Sequence, residues 1–72
     1  MIEAWRIMRE VGPRCQENIL SLIRLRAEWH RSTGLGFLEA HRKAAQHVLG
    51  EVTTLYRSGG AESVSRYFGY TS

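Results

Sequence analysis

The chain has 72 residues, of which 43% are hydrophobic, and its 10 Lys+Arg against 7 Asp+Glu give a net charge of +3. This length predicts a single domain over 1–72, and domains this small usually need a disulfide, a metal or oligomerisation for stability. The one cysteine excludes an internal disulfide framework and is typical of a reducing compartment. Because no run of about 18 apolar residues and no signal-like N-terminus occur, we expect a cytoplasmic protein without membrane association.

An apolar stripe with alternating three- and four-residue spacing predicts an amphipathic helix over about 2–31. Pro13 has no N–H and clashes with the preceding turn, so we expect this helix to be kinked or split at 10–13, with Pro13 opening the longer piece. Asn18 falls on the stripe, where it either sets the register of a dimer or sits at a wet edge. The stripe that we predict to be buried comprises Met8, Val11, Cys15, Leu22, Leu25 and Trp29.

Two further helices follow the glycine-containing stretch 32–36, which ends the first pattern. A second stripe predicts a helix over about 37–58, and the Ser58-Gly59-Gly60 sequence separates it from a short third helix over about 61–68. His41 lies on the second stripe and is expected to be a packed histidine, whereas His30 and His47 are expected at the surface. The second stripe comprises Leu38, His41, Ala45, Val48, Val52 and Leu55.

The fold that these patterns predict is all-α: an antiparallel helical hairpin with a kink or break near Pro13 and a short C-terminal helix. A short loop would bring Trp29 near Leu38 and Cys15 near Val52. Such a hairpin leaves much apolar surface uncovered, so we predict a homodimer in a four-helix arrangement. The alternative is that the terminal helices close the hairpin's own core.

No catalytic or metal-binding pattern is found. The three histidines and Cys15 lack the paired spacings of zinc ligands, so no metal is predicted. The chain also lacks a glycine-rich phosphate loop, a nucleophile elbow and paired carboxylates. We therefore predict no enzymatic activity, no cofactor and no small-molecule substrate.

Two groups of residues are candidates for binding a partner. The first is a basic cluster near the predicted hairpin tip, which suits either an acidic protein surface or nucleic-acid phosphates; the alternative is an ordinary solvated helix end with intrahelical ion pairs. The second is a C-terminal aromatic group beside an arginine, a combination common at protein interfaces. The basic cluster is Arg24, Arg26, Arg31, Arg42 and Lys43, and the C-terminal group is Arg66, Tyr67 and Tyr70.

Two short stretches resemble known families. The segment 63–69 is similar to the start of the recognition helix in lactose-repressor-type helix-turn-helix proteins, a resemblance that implies reading of the DNA major groove. The tripeptide Leu55-Tyr56-Arg57 resembles the motif of the mitochondrial LYR family. The first family has a Gly-Val-Ser turn where this chain has Ser58-Gly59-Gly60-Ala61, and in the second the motif opens the domain rather than ending a helix. No residue role is transferred from either family.

The function that we expect is that of a small, non-enzymatic interaction protein acting stoichiometrically on a macromolecular partner as an inhibitor, adaptor or regulator. Its size is typical of phage and mobile-element accessory proteins. The first alternative is a nucleic-acid-binding protein that uses the basic cluster, and the second is a structural subunit of a larger assembly.

Overall fold

The computed structural model describes residues 2–69, which form three α-helices and no β-strand within that range. The helices are α1 (Ile2–Glu10), α2 (Pro13–Ser32) and α3 (Phe37–Phe68). The predicted all-α class is therefore confirmed. Apolar side chains that recur every three or four residues put one face of each helix towards a common core, which is why these segments form helices together.

The junction between α1 and α2 follows from backbone chemistry at two residues. Pro13 opens α2, where its missing N–H costs nothing because first-turn N–H groups have no acceptor within the helix. Gly12 precedes it in an extended conformation. Gln16 of α2 then donates hydrogen bonds from Nε2 to the carbonyl oxygens of Met8 and Val11. One side chain of α2 thus satisfies carbonyls that the end of α1 leaves without partners.

A kink at Gly60 divides α3 into a long arm and a short arm. Gly60 has φ 72° and ψ −166°, a backbone region that is almost exclusive to glycine. The sequence predicts a helix end at this place. In the structure, Gly60 is a non-helical residue at a kink, and helix resumes after it as far as Phe68. The short arm reaches α2, since the Cys15 thiol lies 3.9 Å from the carbonyl oxygen of Val64.

The core lies where α2 packs along α3 and where α1 crosses α3. Residues early in α2 contact the end of α3, and Arg26, late in α2, is 4.0 Å from Glu51, nearer the start of α3. A smaller cluster of Ala27, Ala40 and Ala44 fills the space near the loop. The main cluster consists of Ile7, Val11, Cys15, Ile19, Val48, Val52, Val64 and Phe68.

The buried row on each long helix follows a spacing of four residues rather than the predicted alternation of three and four. On α3 the row is Ala40, Ala44, Val48 and Val52, and on α2 it runs through Cys15, Ile19 and Ala27. Such i±4 rows are typical of helices that cross at about −50°, whereas alternating spacing is typical of coiled coils that cross at about +20°. Positions four residues apart rotate steadily around a helix that has 3.6 residues per turn. The buried face therefore separates from the predicted stripe towards the loop.

At the loop end, the predicted stripe is not buried within the single chain. Leu25, Trp29 and Leu38 are 63%, 64% and 77% exposed, and small alanines take the buried positions in their place. Of the remaining predicted stripe residues, Val11, Cys15, Val48 and Val52 are buried, and Met8, Leu22, Ala45 and Leu55 are half-buried.

The histidine assignments also change. His41 is only half-buried, and its Nδ1 hydrogen-bonds the Phe37 carbonyl oxygen one turn earlier at 3.0 Å. His30, expected at the surface, is 7% exposed, because it lies three residues after the buried Ala27 and its ring packs against His47 of α3. His47 is exposed, as its position beside the row implies.

Candidate functional site

An apolar groove of about 570 Å³ runs between the three helices. We call it the three-helix groove. Trp5 and Leu20 stand at its edge and are 70% and 51% exposed. A mainly apolar depression with a few polar groups at its edge is the usual form of a binding site. The groove is lined by Ala4, Trp5 and Met8 of α1, Leu20 and Ile23 of α2, and Arg42, Ala45, Gln46, Leu49, Gly50 and Thr53 of α3.

Small residues and a fixed α1 create this depression. Ala45 and Gly50 leave space on the surface of α3, and nothing lies within 4 Å of the position that a Cβ would take at Gly50. Leu49 packs against the main core from the floor of the groove. The end of α1 is held to α3 by a 2.9 Å hydrogen bond from the Tyr56 hydroxyl to Glu10 Oε1. The indole of Trp5 is thereby presented on a helix whose end is anchored.

The groove carries one charge. Arg42 is the single charged residue among its lining residues, and no carboxylate of the described chain forms an ion pair with it. A guanidinium at the edge of an apolar groove selects for a carboxylate on whatever fills the groove, since Arg presents a fixed fork of donors to it.

The predicted basic cluster is divided rather than continuous. Arg42 lines the three-helix groove, whereas Arg26 lines a different cavity together with His30 and His47. Arg26 also pairs with Glu51 at 4.0 Å. The guanidinium carbon of Arg31 lies 5.5 Å from the centre of the Phe37 ring, a cation–π arrangement. Arg24 and Lys43 are exposed.

The C-terminal candidates are only partly within the described chain, because Tyr70 lies outside it. Arg66 forms a 3.1 Å ion pair with Glu62 one turn earlier, with both side chains largely exposed. Tyr67 is 60% exposed and packs edge-to-face on Phe68, which is fully buried. Phe68 therefore closes the core, and Tyr67 remains at the surface.

Cys15 is a buried residue of the main core and carries a free thiol. Burial raises the pKa of the Cys15 thiol, while a hydrogen bond with the Ser65 side chain lowers it in part. A thiol kept protonated in this way is a poor nucleophile. Within residues 2–69, no three His, Cys, Asp or Glu side chains converge as metal ligands would. None of the helices in this range combines the length and the apolar character needed to cross a bilayer.

Two features of the surface escaped sequence reasoning. Trp5 and Leu20 flank the predicted stripe and gave no signal of a shared groove, because the direction of α1 after the break is a tertiary property. The burial of His30 has no signal in the sequence. A heptad places Trp29 on the stripe, and a four-residue count from Ile19 through Ala27 reaches Arg31, yet both of these residues are exposed.

Comparisons with protein-family models, with curated proteins and with solved structures find no match to this chain.

Proposed function

We propose that this chain is a non-enzymatic binding protein that holds an acidic amphipathic helix of another protein in the three-helix groove. It acts stoichiometrically, as an inhibitor, adaptor or regulator of that protein. The observation that carries the proposal is the indole of Trp5, 70% exposed beside an apolar groove. Tryptophan is the residue type most enriched at the energetic centres of protein interfaces.

The shape of the groove favours a helix as its occupant. Its long walls are helices, and residues of α3 line it over three turns, from Arg42 to Thr53. An amphipathic helix laid in such a groove places apolar residues at i, i+3 or i+4, and i+7 along the floor. Leu20, Ile23 and Leu49 supply the apolar contacts that these positions need.

Charge favours an acidic partner over a second copy of this chain. A homodimer formed through the groove would bring Arg42 of both copies into one interface, and like charges there are unfavourable. A partner carboxylate would instead pair with Arg42, and the net charge of +3 would speed the encounter. The homodimer predicted from chain length is thus a competing occupant of the same groove. A cytoplasmic location is part of the proposal, because the single buried cysteine suits a reducing compartment.

The test uses two synthetic amphipathic peptides of about 18 residues, long enough to form helix. Both carry leucines at helical spacing, one with glutamates on its flanks and the other with lysines at the same places. Trp29→Phe leaves Trp5 as the sole tryptophan, so the indole emission follows occupancy of the groove. We expect the acidic peptide to bind more tightly, and Arg42→Gln to remove that preference.

Lys43→Gln is the matched control, since it removes the neighbouring charge without touching the groove. Equal binding of the two peptides, or an equal loss in both variants, contradicts the proposal. Light scattering of the chain alone tests whether a second copy of the chain occupies the groove instead. A concentration-dependent dimer that Trp5→Ala abolishes would assign the groove to a second copy and overturn the acidic partner.

A further inference from the structure

A second cavity, of about 470 Å³, lies between α2 and α3 near the loop. We call it the tip cavity. It is lined by Leu25, Arg26, Trp29, His30 and His47, none of which lines the three-helix groove. Its volume falls within the range of about 300–1,000 Å³ that is typical of small-ligand pockets.

The tip cavity contains the imidazole of His30, a side chain that is almost wholly buried. His30 is 7% exposed, and its ring contacts are the edges of Trp29 at 5.1 Å and of His47 at 5.9 Å between ring centres. No buried side-chain nitrogen or oxygen of the described residues lacks a hydrogen-bonding partner. The His30 ring forms no hydrogen bond with another described residue, so its nitrogens keep contact with solvent at the cavity and can bind a ligand there.

The charges around His30 are predominantly positive. Burial lowers the pKa of His30, and the nearby Lys43, His47 and Arg26 lower it further. Glu51 is the opposing charge, and it lies 4.0 Å from Arg26 with both side chains more than two-fifths exposed, a weak pairing that a ligand can replace. Two fixed cations repel a metal ion, so the ligand that fits these imidazoles is an anion.

The wall of the tip cavity adds an aromatic surface. Trp29 is 64% exposed and stands beside Leu25, which is 63% exposed. An exposed indole next to cationic groups is the combination that holds a nucleobase by stacking while its phosphate is bound by charge.

We infer that the tip cavity binds the phosphate and base of a nucleotide. Arg26 and the ring N–H groups of His30 and His47, which line the cavity, donate to the phosphate oxygens, and the base stacks on Trp29. Lys43 lies outside the lining residues, and its flexible side chain adds a second positive charge to the phosphate. This site is separate from the groove and its function does not depend on the proposed protein partner. The same chemistry is offered by a free nucleotide and by single-stranded nucleic acid, and the experiment distinguishes these sources.

The test uses Trp5→Phe protein, in which Trp29 is the sole tryptophan and its indole emission is followed. Adenosine 5′-monophosphate, adenosine and inorganic phosphate are titrated separately. We expect the monophosphate to quench Trp29 and to bind at least about tenfold more tightly than either fragment. Arg26→Gln or Lys43→Gln should weaken it about tenfold or more, the usual effect of losing a charged hydrogen bond. Arg42→Gln is the matched control and should leave the affinity unchanged.

A second readout follows protonation. NMR titration of the His30 ring should show its pKa rise when the monophosphate is bound, and binding should strengthen as the pH falls from about 7.5 to 5.5, because protonated His30 adds a positive charge to the site. A short oligodeoxyadenylate that binds more tightly than the monophosphate, with the same loss in Lys43→Gln, identifies nucleic acid as the source. If adenosine binds as well as the monophosphate, or if Arg42→Gln weakens binding as much as Lys43→Gln, the assignment is overturned. Because groove binding depends on Arg42 and tip binding on Lys43, failure of one proposal leaves the other intact.

Discussion

Asn18 donates a 2.7 Å hydrogen bond from Nδ2 to the carbonyl oxygen of Phe68, fifty residues further along the chain. Carbonyls in the last turn of a helix have no N–H partner within that helix. The side chain of Asn18 therefore satisfies the end of α3 from the body of α2. The sequence suggested either a dimer register or a wet edge for Asn18, and the contact with α3 is a third role.

We expect Asn18→Ala to lower the free energy of unfolding by about 1 kcal/mol, because one half-buried carbonyl loses its hydrogen bond. Urea denaturation followed by circular dichroism measures this. Ser21→Ala, exposed on the same helix, is the control and should stay within about 0.5 kcal/mol of the parent. Equal stability of Asn18→Ala and the parent would show that the contact with Phe68 contributes nothing.

Two glycines of α3 should respond in opposite ways to the same change. Gly60→Ala should destabilise by about 1–3 kcal/mol, because φ 72° and ψ −166° are strained for any residue with a Cβ. Gly50→Ala should stabilise by about 0.5–1 kcal/mol, since alanine favours the helix and the space around its Cβ is open. Thermal melts of the two variants measure both effects. Stabilisation by Gly60→Ala would mean that the kink is absent in solution.

The four-residue row can be tested against the heptad with one pair of substitutions. Val48 is fully buried and Leu38 is 77% exposed, although both lie on the stripe predicted from the sequence. Val48→Asp buries an unpaired carboxylate and should cost about 4 kcal/mol or more, enough to unfold a marginally stable small domain. Leu38→Asp should leave the helical circular dichroism and the melting temperature nearly unchanged. Unfolding by Leu38→Asp would place that side chain in an interface that the single chain does not form.

Acidification should destabilise the fold through His30. Burial lowers the pKa of His30 in the folded chain below its ordinary value of 6.5, and Lys43, His47 and Arg26 add to this shift. Between the folded pKa and 6.5 the unfolded chain binds more protons, so stability is complete above 6.5 and falls as the pH drops towards the folded pKa. Urea midpoints at about pH 7.5, 6.5 and 5.5 measure this dependence.

The control for the pH effect is His30→Phe, which keeps a ring in the buried position and removes the titrating group. It should flatten the dependence over this range, while His41→Gln should retain it because His41 is only half-buried and bonded to its own helix. A slope unchanged by His30→Phe would assign the acid sensitivity to other groups.

Local chemistry explains why much of the helical layout could be predicted. Pro13 removes a donor from the backbone, and glycines at 59 and 60 weaken a helix whatever surrounds them, so both interruptions are visible in the residues alone. The periodicity of apolar residues likewise predicts helices, because an isolated amphipathic segment has one face that must be buried. These properties belong to a few neighbouring residues and do not require the fold to be known.

The candidate sites could be predicted only in part. The basic residues were identified from the sequence, but their division between the groove and the tip cavity depends on how far each helix is rotated. Arg42 and Lys43 are adjacent in the chain, yet Arg42 lines the groove, whereas the charge of Lys43 lowers the pKa of His30. A heptad count cannot separate them near the loop, because the four-residue row has drifted by that point.

The sequence by itself determined that this chain is helical, that its helices are interrupted near Pro13 and at Ser58-Gly59-Gly60, and that it lacks the patterns of a disulfide or zinc framework. The tertiary structure alone decided that His30 is buried while Trp5 and Trp29 face outward, and that Asn18 holds the end of α3. The physical reason is that helix formation depends on neighbours in the chain, whereas the buried face depends on the angle at which two helices cross. Ala27, Ala40 and Ala44 form a buried cluster between α2 and α3, and this role becomes visible only when both helices are in place.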